Sequence, residues 1–298
     1  MNHKSGFVAV LGRPNVGKST LMNALLGQKV AAVSPRPQTT RHRQLGILTS
    51  PEAQVIFVDT PGVHHPRHKL GEGLNETARQ ALSGADLILF LVDVSQPPDD
   101  EDRLLAGWIA ELNRSAASLL VLNKLDLLAP SELPKRRAAY QALLPEAQLL
   151  EISAARGDGC DALLQGLLVR LPEGPELYPE EQITDLYERE ITADLIREAC
   201  LLHLSDEVPH GIAVRVDEYH DQGETNASIA ATLFVERDSH KGIVIGQGGN
   251  MIKKIGTTAR KEIEALTGRK VYLELRVKVQ KGWRDDAQAL RSLGFLNK

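Results

Sequence analysis

The sequence lacks several features that would assign it to a specialised class of protein. Cysteine occurs only twice among 298 residues, and aromatic residues account for 4% of the chain. Two cysteines exclude a disulfide framework, so free thiols in a reducing compartment are expected. No apolar run approaches the length that spans a bilayer, and residues 1–11 lack the pattern of a secretory signal. The scarcity of aromatic residues predicts a core of aliphatic and alanine side chains.

The residues that are present describe an ordinary water-soluble globular protein. Hydrophobic residues make up 42% of the chain and charged residues 25%, with a formal net charge of −4. The length favours two domains over one. Three prolines between 172 and 179 indicate an extended linker. The sequence therefore predicts a first domain over residues 1–172, a linker over 173–183 and a second domain over 184–298.

The most informative motif is a glycine-rich segment that directly follows the apolar run 7–11. Its sequence is GRPNVGKS, residues 12–19, and the helical apolar pattern after it stops at Gly27. A strand, a GxxxxGKS loop and a helix in this order form a phosphate cradle, in which Lys18 reaches the outer two phosphates and the Ser19 hydroxyl binds Mg²⁺. The nucleotide contacts predicted here are Gly12, Asn15, Val16, Gly17, Lys18, Ser19 and Thr20.

Two further segments are expected beside the γ-phosphate. An apolar run ends in DTPG, residues 59–62, where Asp59 would hold Mg²⁺ through a water and Gly62 would donate its backbone N–H to the phosphate. The proline-rich loop 35–41 contains a pair of threonines. Of these we choose Thr40 over Thr39 as the second hydroxyl ligand of Mg²⁺, ordered only when the γ-phosphate is present.

The residues that select the base follow the next apolar strands. In NKLD, residues 123–126, the Asp126 carboxylate can accept two hydrogen bonds from guanine, whereas ATP would leave it unpaired, which is worth roughly 10⁴-fold in affinity. Asn123 would tie the loops together, and the stem of Lys124 would lie along the base. A backbone N–H of the later segment Ser153, Ala154 and Ala155 would meet the guanine oxygen.

These motifs resemble those of the TrmE–Era–EngA group of P-loop GTPases, which implies an α/β fold with a doubly wound, mostly parallel sheet. Val63 stands where Ras-like proteins place a water-orienting glutamine, so we predict slow hydrolysis of GTP to GDP. In relatives with an asparagine at the position of Asn15, that residue helps to bind a K⁺ ion; shaping the loop is the alternative role. The candidate catalytic residues are thus Lys18, Thr40, Gly62 and Asn15.

The second half of the chain predicts an α+β domain. A helical pattern over 184–204 is followed by strand patterns near 211–216, 227–235 and 270–279. The inner stripe expected on the helix consists of Leu186, Ile191, Leu195, Ala199 and Leu202.

A Gly-x-x-Gly segment lies between two helical stretches of this half. KH domains use such a segment to clamp single-stranded nucleic acid, because glycine lets the sugar–phosphate approach the main chain. Residues 237–284 contain twelve Lys or Arg against four Asp or Glu, which concentrates positive charge there. A tight turn on a solvated face is the alternative. The predicted RNA contacts are Gly246, Gln247, Gly248, Gly249, Lys253 and Lys254.

A GTPase of this type joined to a C-terminal type II KH domain is similar to the Era family over the whole chain. The resemblance implies GTP or GDP with Mg²⁺, a monomeric cytoplasmic protein, and assistance to assembly of the small ribosomal subunit through the 3′ end of its RNA. It also implies peripheral contact with the inner membrane face. The alternatives are a GTP-dependent protein-interaction or membrane-surface regulatory switch, and an enzyme that modifies RNA.

Overall fold

The protein divides into two compact units. The computed structural model describes residues 3–33, 44–63, 66, 68–112, 117–186, 188–223 and 225–295. Most described residues up to Asp185 form the first unit, and residues from Leu186 onward form the second. Residues 32–33, 66 and 68–73 group with the second unit although they belong to the N-terminal half of the chain.

A mixed sheet organises the N-terminal half. Its described strands lie in the order β2-β3-β1-β4-β5-β6, with β2 antiparallel to β3 and the other neighbours parallel. This confirms the doubly wound, mostly parallel sheet predicted for the first domain. The elements are β1 Lys4–Leu11, α1 Lys18–Leu26, β2 Gln44–Ser50, β3 Ala53–Asp59, α2 Lys69–Ser83, β4 Leu87–Asp93, α3 Asp100–Leu112, β5 Ala117–Asn123, α4 Leu133–Gln141, β6 Gln148–Glu151 and α5 Cys160–Arg170.

Both faces of this sheet are buried, which explains why its central strands are apolar throughout. Along β4, Leu87 and Leu89 pack into the cluster that contains Leu163 and Leu167 of α5. The alternate residues Ile88 and Phe90 pack on the opposite face, in the cluster that contains Leu105 of α3. Because β1, β3, β4, β5 and β6 are parallel, their carboxyl ends meet at one edge of the sheet.

A three-stranded sheet and its helices form the second unit. The strand order is β7-β8-β9, antiparallel between β7 and β8 and parallel between β8 and β9. Ala199 of α6 and Ala259 of α8 belong to the core cluster that also contains Ile229 and Leu233 of β8. This is the α+β type II KH arrangement that was predicted. The elements are α6 Glu188–His203, β7 Ala213–Asp221, β8 Asn226–Val235, α7 Asp238–Ile245, α8 Asn250–Thr267, β9 Lys270–Val279 and α9 Ala287–Ser292.

Two details of the predicted first helix of this unit are wrong. The helix begins at Glu188 rather than at Thr184. Leu202, assigned to the inner stripe, is 47% exposed, whereas Ile191, Leu195 and Ala199 are buried as predicted. Leu202 lies three residues beyond Ala199 and fits the helical period, but its side chain is exposed while its neighbour Leu201 is fully buried.

The proline-rich segment after α5 packs on the first unit. The buried side chain of Gln54 accepts hydrogen bonds from the backbone N–H groups of Leu177 and Tyr178 at 2.7 and 3.0 Å, and donates to the Tyr178 carbonyl at 2.8 Å. The backbone N–H of Ile47, on strand β2, donates to the Ile183 carbonyl at 2.8 Å. The segment therefore covers the edge strand β2. The domain limits given above stay a prediction.

Replacing Gln54 by alanine should release this segment. Two backbone N–H groups would lose their acceptor, at a cost of about 1–3 kcal/mol for each group that remains buried. Cleavage by a glutamate-specific protease at Glu173 and Glu176 should accelerate by at least about tenfold. The matched control is Gln80→Ala, because Gln80 is exposed on α2 and bonds only to Glu76 among the contacts described. Equal cleavage rates for the two variants would contradict the assigned role.

Candidate functional site

The phosphate loop connects the end of β1 to the start of α1. Asn15 and Gly17 adopt left-handed φ values of 65° and 104°. The Lys18 ammonium donates to the carbonyl oxygens of Gly12 and Arg13 at 2.9 and 3.1 Å, so the loop wraps its own lysine. Burial lowers the pKa of Lys18 to about 8, although nearby Asp59 acts in the opposite direction. A Cβ at Gly17 would lie 2.4 Å from Asn123 Nδ2, so only glycine fits there.

The two predicted magnesium residues described by the structure lie side by side. The Ser19 hydroxyl donates to Asp59 Oδ2 at 3.0 Å. A hydroxyl and a carboxylate are the hard oxygen donors that Mg²⁺ prefers, so this pair fits the ion. The DTPG turn packs directly on the phosphate loop, since a Cβ at Gly62 would lie 2.8 Å from the Pro14 backbone. Thr40 lies outside the described residues.

The base-recognition segments are joined by one buried amide. Asn123 Nδ2 donates to the Val16 carbonyl at 2.8 Å, and Asn123 Oδ1 accepts from the backbone N–H of Ala154 at 2.9 Å. The tie between loops predicted for Asn123 is therefore present in the described geometry. The Ser153 hydroxyl donates to Asp126 Oδ1 at 2.6 Å, which orients the carboxylate assigned to guanine. Ala155, in contrast, is exposed.

Sequence analysis missed Asp93 at the end of β4. Its carboxylate pairs with the Lys124 ammonium at 2.7 Å, while Lys124 itself has a left-handed φ of 67°. The other oxygen of Asp93 accepts from the Ser95 N–H and hydroxyl. Asp93 lies opposite Asn123 in the register of β4 and β5. The sequence did contain a signal for this residue, because Asp93 ends an apolar strand at the same edge of the sheet as the other site residues.

The Gly-x-x-Gly segment lies between α7 and α8, as predicted. Gly246, Gly248 and Gly249 all have positive φ values. A Cβ at Gly246 would lie 2.8 Å from the backbone nitrogen of Met251, so this glycine is required by packing. No atom lies within 4 Å of the position that a Cβ would take at Gly248. The segment therefore presents open main chain to an approaching phosphate.

A groove of about 410 Å³ lies between α8 and β9. Lys253 and Arg260 contribute positive charge, and Tyr272 is 68% exposed at the edge strand. Lys254 lines a neighbouring depression with His203. Exposed aromatic and basic side chains in one groove suit single-stranded nucleic acid, whose bases stack and whose phosphates are charged.

The fold and the two sites define a class: a P-loop GTPase with a KH fold in the same chain. Residues 7–124 match the family described as 50S ribosome-binding GTPase, and residues 207–284 match the KH domain family. GTPase Era of Heliobacterium modesticaldum is 44% identical over 292 residues, which covers 98% of this chain and 97% of the relative. GTPase Era of Ruminiclostridium cellulolyticum is 44% identical over 295 residues, covering 99% and 98%.

Two solved structures are similar along their full length. Era in complex with MgGDPNP and nucleotides 1506–1542 of 16S ribosomal RNA has a TM-score of 0.93 at 39% identity, covering 99% of this chain and 100% of that one. A variant of Aquifex aeolicus Era bound to GDP and AlF₄⁻ has a TM-score of 0.92 at 37% identity, with the same coverage. The chain belongs to the Era family of GTPases, as the motifs predicted, and is a GTP hydrolase.

Exchanging Asp126 for asparagine should change the preferred base. The amide cannot accept the two hydrogen bonds from guanine, so GDP affinity should fall on the order of 10³- to 10⁴-fold. Xanthosine diphosphate has an oxygen in place of the amine, so the variant should bind it more tightly than the native protein does. Isothermal titration of both nucleotides measures this exchange. Asp161→Asn, on the exposed side of α5, is the control and should leave both affinities unchanged. Unaltered GDP binding by Asp126→Asn would contradict the assignment.

The pKa of Lys18 predicts proton uptake when nucleotide binds. At pH 8.5 most free protein carries a neutral Lys18, since its pKa is about 8, and anionic phosphates beside the amine raise that pKa. GDP affinity should therefore fall as pH rises above 8, by at most about tenfold per pH unit. Titration calorimetry at pH 8.5 in buffers of different ionisation enthalpy should show the uptake. The control variant Lys135→Met should take up protons on GDP binding as the native protein does. If the native protein takes up no proton, the assignment is refuted.

Proposed function

We propose that this chain is a GTP-gated RNA clamp that holds small-subunit ribosomal RNA near its 3′ end and assists assembly of the small ribosomal subunit. The observation that carries the proposal is the presence, in one chain, of a phosphate loop with its base-recognition segments and of a Gly-x-x-Gly segment with open main chain at Gly248. Nucleotide state would control the RNA grip, and hydrolysis would release it.

Each nucleotide role rests on a described contact. Lys18 would move from the carbonyls of Gly12 and Arg13 to the outer phosphates, while Ser19 and Asp59 hold Mg²⁺ together with Thr40. The ion, when bound, neutralises charge on the phosphate oxygens. The N–H of Gly62 is proposed as the donor to the γ-phosphate.

Slow turnover is supported by the environment of Val63. Its side chain has no hydrogen-bonding group and is fully buried in the cluster with Leu11 and Phe90, so it cannot orient an attacking water. None of the described contacts supplies a substitute glutamine. Asn15, at its left-handed turn in the phosphate loop, is the proposed K⁺ ligand. Catalysis would then depend on electrostatic stabilisation of phosphate charge rather than on a side-chain base.

We propose small-subunit RNA as the partner because of a relative that matches nearly the whole chain. That Era structure contains nucleotides 1506–1542 of 16S ribosomal RNA. The family described as 50S ribosome-binding GTPase spans only residues 7–124 and excludes the Gly-x-x-Gly segment. A partner of the second unit is therefore better indicated by the full-length relative.

We further propose a monomer in the cytoplasm whose contact with the inner membrane face, where it occurs, is peripheral. Among the described helices, none combines the length and apolar character needed to cross a bilayer. The rival function is a GTP-dependent switch that binds a protein or a membrane surface.

The test is binding of an oligonucleotide that copies the 3′ end of the small-subunit RNA, followed by fluorescence anisotropy. The non-hydrolysable GTP analogue should give tighter binding than GDP. Gly248→Asp should weaken binding by about tenfold or more, because a carboxylate is placed where phosphate approaches.

The control is Gly223→Asp in the same unit. Gly223 has a φ of 76° and no neighbour within 4 Å of a Cβ, so the backbone strain is matched while the turn between β7 and β8 is altered instead. Its RNA affinity should equal that of the native protein. Weak RNA binding that changes neither with the bound nucleotide nor with Gly248→Asp would overturn the RNA clamp and favour the rival switch.

A further inference from the structure

A buried ion pair anchors the phosphate loop to helix α3. Arg13 follows the first glycine of the loop, and its guanidinium lies 3.0 Å from Asp99 Oδ2 and 3.3 Å from Asp102 Oδ2. The Asp102 side chain is completely buried. Burial raises the pKa of Asp102 to about 6, against the opposing effect of Arg13. Asp99 and Asp102 lie outside the motifs that define the nucleotide site, and Arg13 is not among the predicted nucleotide contacts.

Tyr140 of α4 extends the pair toward the sheet. The buried hydroxyl lies 3.5 Å from Asp102 Oδ2. As a donor, the same hydroxyl faces the backbone carbonyl oxygens of Asp93 at 3.0 Å and Gln96 at 3.2 Å. Burial raises the pKa of Tyr140, so the hydroxyl remains protonated.

Asp93 completes a continuous path to the base-recognition segment. Its backbone carbonyl oxygen is an acceptor for the Tyr140 hydroxyl. Its carboxylate pairs with the Lys124 ammonium at 2.7 Å. Lys124 is the residue whose stem is assigned to the face of the base. These contacts, from Arg13 to Lys124, therefore connect the phosphate loop to the base-recognition segment. They lie on the side of the sheet covered by α3 and α4.

We propose that Tyr140, Asp102 and Asp93 are positioning residues for nucleotide binding, which hold the phosphate loop and the base-recognition lysine in a fixed mutual geometry. The amide of Asn123 is a first tie between these loops, and this path is a second. Polar groups in one buried network strengthen each other, so removing one member weakens the hold on both loops. The proposal depends only on GTP binding and is independent of RNA.

Tyr140→Phe tests the proposal because it removes the hydroxyl and keeps the buried ring. The rate of dissociation of a fluorescent GDP should rise about tenfold, the effect of losing roughly one buried hydrogen bond. The matched control is Tyr178→Phe, since the described hydrogen bonds of Tyr178 use its backbone. That variant should dissociate GDP at the native rate. Equal rates for the two variants would overturn the proposal.

A double-mutant cycle separates positioning from general loss of stability. Asp93→Asn weakens the hold on Lys124 at the other end of the path. If the path acts as a unit, the double variant should accelerate dissociation much less than the product of the two single effects. A dissociation rate of the double variant equal to the product of the two single effects would refute the path. Unfolding of each nucleotide-free variant by urea is measured alongside, and a rate change that scales with lost stability would assign Tyr140 a merely structural role.

Discussion

The side chain of Asn123 is the contact on which the nucleotide site depends. One buried amide donates to the Val16 carbonyl and accepts from the Ala154 N–H, so it joins the phosphate loop to the segment after β6. Neither amide group can turn to water, and leaving either without a partner costs free energy. The parallel sheet makes the arrangement possible, because β1, β5 and β6 end at one edge.

The two functional loops use glycine for different physical reasons. At Gly17 and Gly246 a side chain would collide with atoms of the protein, so these glycines are demanded by packing. At Gly248 the space is open, and the absence of a side chain leaves the main chain accessible from outside. A glycine-rich loop is therefore partly a matter of fold and partly a matter of ligand access.

Much of the architecture was predictable because it is encoded locally. Strand β9 has the bounds 270–279 that its alternating pattern predicted, and the phosphate loop lies between the predicted strand and helix. Strand β2 was not predicted. Its edge position is stabilised by pairing with β3 and by the Ile183 carbonyl, neither of which leaves a local pattern. Likewise, Leu202 carries the helical period but is exposed, which its apolar character does not indicate.

The sequence by itself determined the class of protein, since ordered motifs at the ends of apolar strands specify phosphate, magnesium and guanine contacts through residue chemistry. Only the tertiary structure decided how those segments are held. Arg13, Asp102 and Tyr140 come from three separate elements, and nothing in their local patterns marks them as partners. Their contact exists because α3 and α4 pack on the same face of the sheet, which brings polar groups that are distant in the sequence together in its buried interior.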